Sequence, residues 1–188
     1  MSAEESDPHT VSLTADTTHA RLYTGAIEPV DYHQRIGIRT MSPEASQLSV
    51  QQLAESCAAA LWESDKATQF LDMKLSEVAP GTCHMSMIIK EHMCNGHGDC
   101  HGGYIFTLAD SAFAFACNTY NQRTVAQHGT ITYIKPVNSG DTLTAIATEV
   151  SRQGRSGIYD IRVVNQTHVT VAQFRGYSRT IKGTLMPE

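Results

Sequence analysis

The sequence predicts an α+β fold in which an antiparallel sheet packs on one buried helix, and three observations carry that expectation. Between Ile105 and Cys117 apolar residues cover most of a helical cylinder, which marks a buried helix. Two strand-like runs precede that helix. Four more follow it, rich in Val, Ile, Thr and Tyr and separated by the turn signals PVNSGD, RQGRSG and NQTH. Strands grouped on either side of one helix, without β-α alternation, belong to the α+β class. At 188 residues the chain is long enough for one domain with a sizeable core, and no internal repeat is visible.

Residues 1–47 stand apart from this pattern. They hold seven acidic residues against three arginines and few clustered large apolar side chains, so at least the first twenty are expected to lack a fixed structure. Tyr23 and Tyr32 are the residues there suited to docking. The stretch has neither the apolar core of a signal peptide nor the Arg-rich, acid-poor character of a transit peptide, which makes a cytoplasmic protein the expectation. The folded domain is expected over 48–188.

That domain opens on a helix near 49 that ends near 65. Ser49 and Gln52 have the spacing of a capping box, and Leu48 with Leu53 that of a hydrophobic staple. Strands are expected at about 70–79 and 82–91, then the central helix, then strands at about 125–136, 141–152, 155–166 and 169–182. The central helix has about 13 apolar-rich residues, too few for the roughly 20 that cross a bilayer.

The run MCNGHGDCHGGYIFTLADSAFAFACNTYN, residues 93–121, carries the chemistry. Asp110 lies among Phe106, Thr107, Phe113 and Ala114 at helical spacing, where an unpaired charge is costly. It is either an ion-pair partner across an interface or a reactive acid. Gly102 and Gly103 stand where the helix begins, and the first N–H groups of a helix have no internal acceptor. The glycine pair is either a plain turn or a place where a ligand oxygen can approach the backbone closely. An oxyanion would be stabilised there by the roughly half positive charge of the helix start. Gly102 and Asp110 are eight positions apart, about 12 Å along one helix, so both cannot reach one carbonyl. If they cooperate, two antiparallel copies of the helix lie side by side, in a two-fold dimer with two composite sites.

The run NGHGDCHGGYIFTLADSAFAFACNTYN, with TITYIKPVNSGDTLTA, RQGRSGIYDIRVVNQ and FRGYSRTIKG after it, resembles the PaaI-type phenylacetyl-CoA thioesterases of the hotdog-fold superfamily over about residues 50–187. The resemblance implies a long helix wrapped by an antiparallel sheet, with protomers paired through continuous sheets and usually assembled as a dimer of dimers. It implies hydrolysis of phenylacetyl-CoA or a ring-hydroxylated relative, in phenylacetate breakdown. It places the catalytic acid on Asp110, the backbone donor to the thioester carbonyl on Gly102, and the loop Asn and His on Asn95 and His101. The substrate would also meet Gly103. No cofactor is implied, since coenzyme A is part of the substrate. Two other activities fit the same fold: acyl-CoA binding without hydrolysis, and hydration or dehydration of an enoyl-CoA.

Net charge limits the partners. Residues 1–47 supply −4 of the formal −5, so the remainder is near neutral, which disfavours wholesale binding of nucleic acid or an anionic membrane. An anionic CoA needs a local basic patch, for which Arg152 and Arg155 with Lys135, Arg175, Arg179 and Lys182 are candidates. Arg155, Ser156 and Gly157 form a turn whose backbone and hydroxyl can hold a pantetheine or pyrophosphate; the alternative is a hairpin turn with solvated arginines. Five cysteines without a secretion signal suit reduced thiols. Cys94, His97, Cys100 and His101 form C-x2-H-x2-C-H, which fits none of the usual zinc spacings well, and no metal is expected. A Cys/His nucleophile at Cys100 or Cys117 is weaker still, because Cys117 sits in the apolar helix where a thiol stays protonated. Walker, Rossmann and G-x-S-x-G signatures are absent from the sequence.

Overall fold

The computed structural model describes residues 48–187; the readings made for residues 1–47, Tyr23 and Tyr32 included, lie outside the described residues. Helix α1 (Val50–Ser64) starts with the expected capping box. The Ser49 hydroxyl accepts from the Gln52 N–H at 3.2 Å, and the Ser49 N–H donates to Gln52 Oε1 at 2.9 Å. Asp65 ends α1 and caps a short second helix, α2 (Lys66–Phe70), its carboxylate accepting from the Thr68 N–H and hydroxyl. That five-residue helix occupies the ground where the first strand was expected to begin, so β1 starts later, at Lys74, and runs to Ala79. Strand β2 (Thr82–Ile88) also ends earlier than expected. The chain leaves it for a single 3-10 turn at Glu91–Met93.

Helix α3 (Gly102–Cys117) follows, then β3 (Thr124–Tyr133), β4 (Thr142–Gln153), β5 (Ser156–Val164) and β6 (Thr170–Thr180). The six strands form one antiparallel sheet in the order β1-β2-β4-β5-β6-β3. One face of the sheet packs on α3, whose Leu108, Ala109, Ala112, Phe113, Phe115 and Ala116 are buried with Met85, Ala145, Ile161 and Phe174 from the strands. An aromatic layer joins helix to sheet: Phe106 meets Phe174 edge-on with centroids 5.2 Å apart, and Phe113 lies 5.4 Å from Tyr159. The layer fits because the paired strand residues Gly129 and Gly176 carry no side chain. A Cβ at Gly129 would stand 2.7 Å from Phe174, and one at Gly176 2.8 Å from Phe113.

The far end of α3 is fastened by polar groups. The Asn118 amide donates to the Ala114 and Thr124 carbonyls and accepts from the Thr124 N–H, turning the chain into β3. Thr119 accepts from the Gly81 N–H at 2.9 Å. Strand β3, an edge of the sheet, is exposed along most of its ten residues. The other edge, β1, is partly covered by α1, where Gln51 donates to the Val78 carbonyl. No helix among the described residues is long and apolar enough to cross a membrane.

Candidate active site

The loop into α3 is a small hairpin. The Asn95 N–H donates to the Asp99 carbonyl, the Gly98 N–H to the Asn95 carbonyl, and the His101 N–H to the Met93 carbonyl. Asn95 stiffens its own turn by accepting from the His97 N–H through Oδ1 at 2.8 Å, which leaves its Nδ2 as the group able to donate to a ligand. The Cys100 N–H ties the hairpin to the Val137 carbonyl at 2.7 Å.

His101 is the N-cap of α3. Its Nδ1 accepts from the Gly103 N–H at 3.0 Å, so in the neutral ring the proton sits on Nε2, and the imidazole braces the first turn as a Ser or Asp cap would. With the Gly103 and Tyr104 N–H groups both committed to His101, the Gly102 N–H has no acceptor among the described residues. The open donor at the start of α3 is therefore the backbone of Gly102.

Tyr133, at the end of β3, completes this corner. Its hydroxyl donates to the Gly102 carbonyl at 2.9 Å. A Cβ at Gly102 would stand 2.8 Å from the Tyr133 ring. A side chain at 102 would therefore have to displace the Tyr133 ring. The sequence reading missed Tyr133. The signal was the two-residue strand period, which puts Gly129, Ile131 and Tyr133 on one face: Gly129 lies over Phe106, so Tyr133 falls over the helix start.

Asp110 lies two turns further along α3, half-buried, with no hydrogen bond or ion pair among the described residues. Burial pushes its carboxyl above the usual range, because the charged form is poorly solvated there. Asp110 has no basic partner among the described residues, so of its two readings the ion pair would need a partner across an interface. The cysteines nearby are poor nucleophiles: burial pushes Cys100 up to about 11 and Cys117 up to about 12. Among the described residues no three His, Cys, Asp or Glu side chains gather as metal ligands. In the C-x2-H-x2-C-H run, His101 Nδ1 is already engaged by Gly103.

The remaining sequence candidates lie at the other end of the sheet. Ser156 pairs with Arg179, which pairs with Val125, whereas Gly102 sits beside Tyr133. From Val125 to Tyr133 is about 26 Å of strand. Asn95, His101, Gly102 and Gly103 come together; Arg152, Arg155, Ser156 and Gly157 do not join them within one chain. Ser156 and Gly157 line a surface groove of about 370 Å³ with Gln127, His128 and Tyr177. Arg155 donates through Nε to the Thr180 carbonyl, and Arg179 reaches the Ser156 hydroxyl at 3.3 Å. Arg152 is more committed. It packs 3.8 Å above the Tyr120 ring and pairs with Glu149, which also accepts from the Tyr120 and Tyr159 hydroxyls at 3.0 and 2.7 Å.

Residues 97–172 match the family described as the thioesterase superfamily, and the chain is 44% identical over 132 residues to the acyl-coenzyme A thioesterase PaaI of Escherichia coli, covering 70% of this chain and 94% of that one. The chain belongs to the thioesterase superfamily. The solved structure of the E. coli PaaI protein, from the phenylacetic acid degradation operon, superposes with a TM-score of 0.71 at 41% identity, covering 72% of this chain and 99% of that one. A variant of the phenylacetic acid degradation protein PaaI from Thermus thermophilus follows at 0.60 and 32% identity, over 62% of this chain and all of its own (100%). A Streptococcus mutans protein solved bound to acetyl CoA gives 0.57 at 25% identity, over 60% of this chain and 90% of its own. The chain is thus a thioester hydrolase of hotdog fold, as its motifs implied. Within the thioesterase superfamily match lie His101, Gly102 and Asp110, while Asn95 falls two residues before it.

Proposed function

We propose that this enzyme hydrolyses aryl- or arylacetyl-CoA thioesters, phenylacetyl-CoA and its ring-hydroxylated forms first among them, at sites shared between two subunits. One observation carries the reading: α3 presents an N–H at Gly102 and, eight residues on, a half-buried carboxylate at Asp110, both without a partner among the described residues. The names of the PaaI relatives support the acyl-CoA class and the phenylacetate context.

The exposed β3 edge is the natural dimer seam, since it leaves a row of backbone groups unpaired among the described residues. Antiparallel pairing of β3 with its own copy about a two-fold near mid-strand sets the Tyr133 end of one subunit over the first half of β3 in the other. Gly102 of one subunit then approaches Asp110 and the Ser156–Gly157 groove of the other. A dimer of dimers, as the resemblance implies, would extend this pairing.

In such a site the Gly102 N–H donates to the thioester oxygen and the helix start stabilises the charge that develops there. Asp110 attacks the carbonyl carbon or takes a proton from the attacking water, and the C–S bond breaks to release the CoA thiol. Asn95 orients water or acyl group through Nδ2, His101 and Gly103 hold the turn, and Arg155, Ser156 and Gly157, with Arg152 behind them, receive the CoA. Residues 48–188 form the catalytic domain and 1–47 its N-terminal extension; the enzyme needs no cofactor and works in the cytoplasm.

A thiol-release assay with phenylacetyl-, hydroxyphenylacetyl-, benzoyl- and short straight-chain CoA esters tests the substrate class, wild type beside Asp110→Asn. Aryl-ester hydrolysis that collapses in the variant is expected. Faster turnover of straight-chain esters would overturn the acyl preference.

A further inference from the structure

Cys94 and Cys100 face each other across the hairpin that leads into α3. They form an isolated antiparallel bridge, flanked by the His101 N–H to Met93 carbonyl bond and the Asn95 N–H to Asp99 carbonyl bond. That pattern makes them a non-hydrogen-bonded pair, whose Cα atoms lie about 4.5 Å apart with side chains on the same face. A disulfide spans Cα atoms about 4.4–6.8 Å apart, so the backbone already has a register that one can bridge. Both thiols are reduced, Cys94 half-buried and Cys100 buried. Each Sγ now leans on a carbonyl, Cys94 on Lys90 at 4.0 Å and Cys100 on His101 at 3.6 Å, so rotation of the two side chains is the main movement required.

We propose that Cys94 and Cys100 are a reversible disulfide site that lowers activity when oxidised by a small-molecule disulfide. The more exposed Cys94 thiolate attacks one sulfur of the small disulfide and expels one small thiol. Cys100 then loses its proton and attacks Cys94 Sγ, forming the internal bond and expelling the second small thiol. Two protein thiols are oxidised and one small disulfide is reduced to two thiols. Burial, which holds the Cys100 proton, makes the second step the slower one, while its fixed place opposite Cys94 favours it.

The effect on turnover rests on the proposed roles of Gly102 and Asn95. Cys94 adjoins Asn95, and Cys100 is two residues before Gly102. Disulfide Cβ atoms sit about 3.8 Å apart, closer than in an open strand pair, while disulfide Cα atoms are most often about 5.5–6 Å apart, wider than this pair, so bond closure twists the hairpin and shifts both segments. A shift of about 1 Å in a positioning group can cost about a hundredfold in rate.

The test treats the full-length reduced enzyme with oxidised glutathione, counts thiols under denaturing conditions, maps non-reduced peptides by mass spectrometry and follows thioester hydrolysis. Expected are a fall from five free thiols to three, a peptide joining Cys94 to Cys100, a loss of turnover of about tenfold or more reversed by dithiothreitol, and a Cys94→Ser variant active in both conditions. A count that stays at five, or glutathione retained on Cys94 alone, overturns the disulfide. An internal disulfide with unchanged turnover overturns the switch. Neither result bears on the proposed function, which is tested separately by whether the reduced enzyme turns over aryl-CoA esters and depends on the Asp110 carboxylate.

Discussion

The Tyr133 hydroxyl donates to the Gly102 carbonyl at 2.9 Å, while its ring fills the space where a side chain at 102 would begin. A strand end thereby fixes the first turn of the helix whose first N–H is open to a ligand. Gly102→Ala should lower kcat about a hundredfold, the scale of a lost oxyanion donor, because the new methyl must push Tyr133 aside or tilt the turn. Adding Tyr133→Ala removes the collision. Steady-state kinetics of the double variant should recover part of the loss; no recovery would mean that the methyl blocks the substrate itself.

Tyr133→Phe keeps the ring and removes the bond to Gly102. A hydrogen bond of this kind contributes about 0.5–1.5 kcal/mol, so kcat should fall by roughly twofold to tenfold with little change in KM. A change confined to KM would assign Tyr133 to substrate binding.

Asp110 is a carboxyl raised by burial, and its sign fixes two pH effects. In the proposed mechanism the active form is the carboxylate, so kcat/KM should fall as pH drops through a value above the usual Asp range. Stability runs the other way. The native state holds the proton more tightly than the unfolded chain, so stability is lost as pH rises from the unfolded to the folded pKa. Asp110→Asn should therefore melt higher than wild type at neutral pH and lose about 10²–10⁴ in turnover. A lower melting temperature would point to a structural partner for the carboxylate.

Two arginines near the proposed CoA groove should separate kinetically. Arg155 keeps its terminal nitrogens free of the Thr180 contact, whereas Arg175 is held bidentate by Asp160 at 2.6 and 2.7 Å. Arg155→Ala should raise KM for CoA esters severalfold, on the scale of about 1 kcal/mol for one exposed charge contact, and leave kcat unchanged. Arg175→Ala should leave both constants near wild type.

The fold was legible where local rules act. Ser49 and Gln52 announced α1, and the apolar run after Ile105 announced α3, because caps and periodicity are short-range. Helix α2 was not, since five mostly polar residues carry no period and its cap, Asp65, also ends α1. The site divided in the same way. Asp110 and the Gly102 turn stood out as a charge in an apolar helix and a glycine pair at its start. The Tyr133 contact spans 31 positions, and Arg152 is held by Glu149 and by Tyr120 from another element, links that only the folded chain makes.

Shared sites can be tested by mixing impaired subunits. Gly102→Ala and Asp110→Asn proteins, each expected to keep about 1% of wild-type turnover or less alone, are unfolded together in equal amounts, refolded and assayed for aryl-CoA hydrolysis. If Gly102 of one subunit serves Asp110 of its partner, half the dimers are mixed and each holds one intact site, so activity returns to about a quarter of wild type. Mixed dimers, demonstrated by mass, that stay inactive would contradict the composite site.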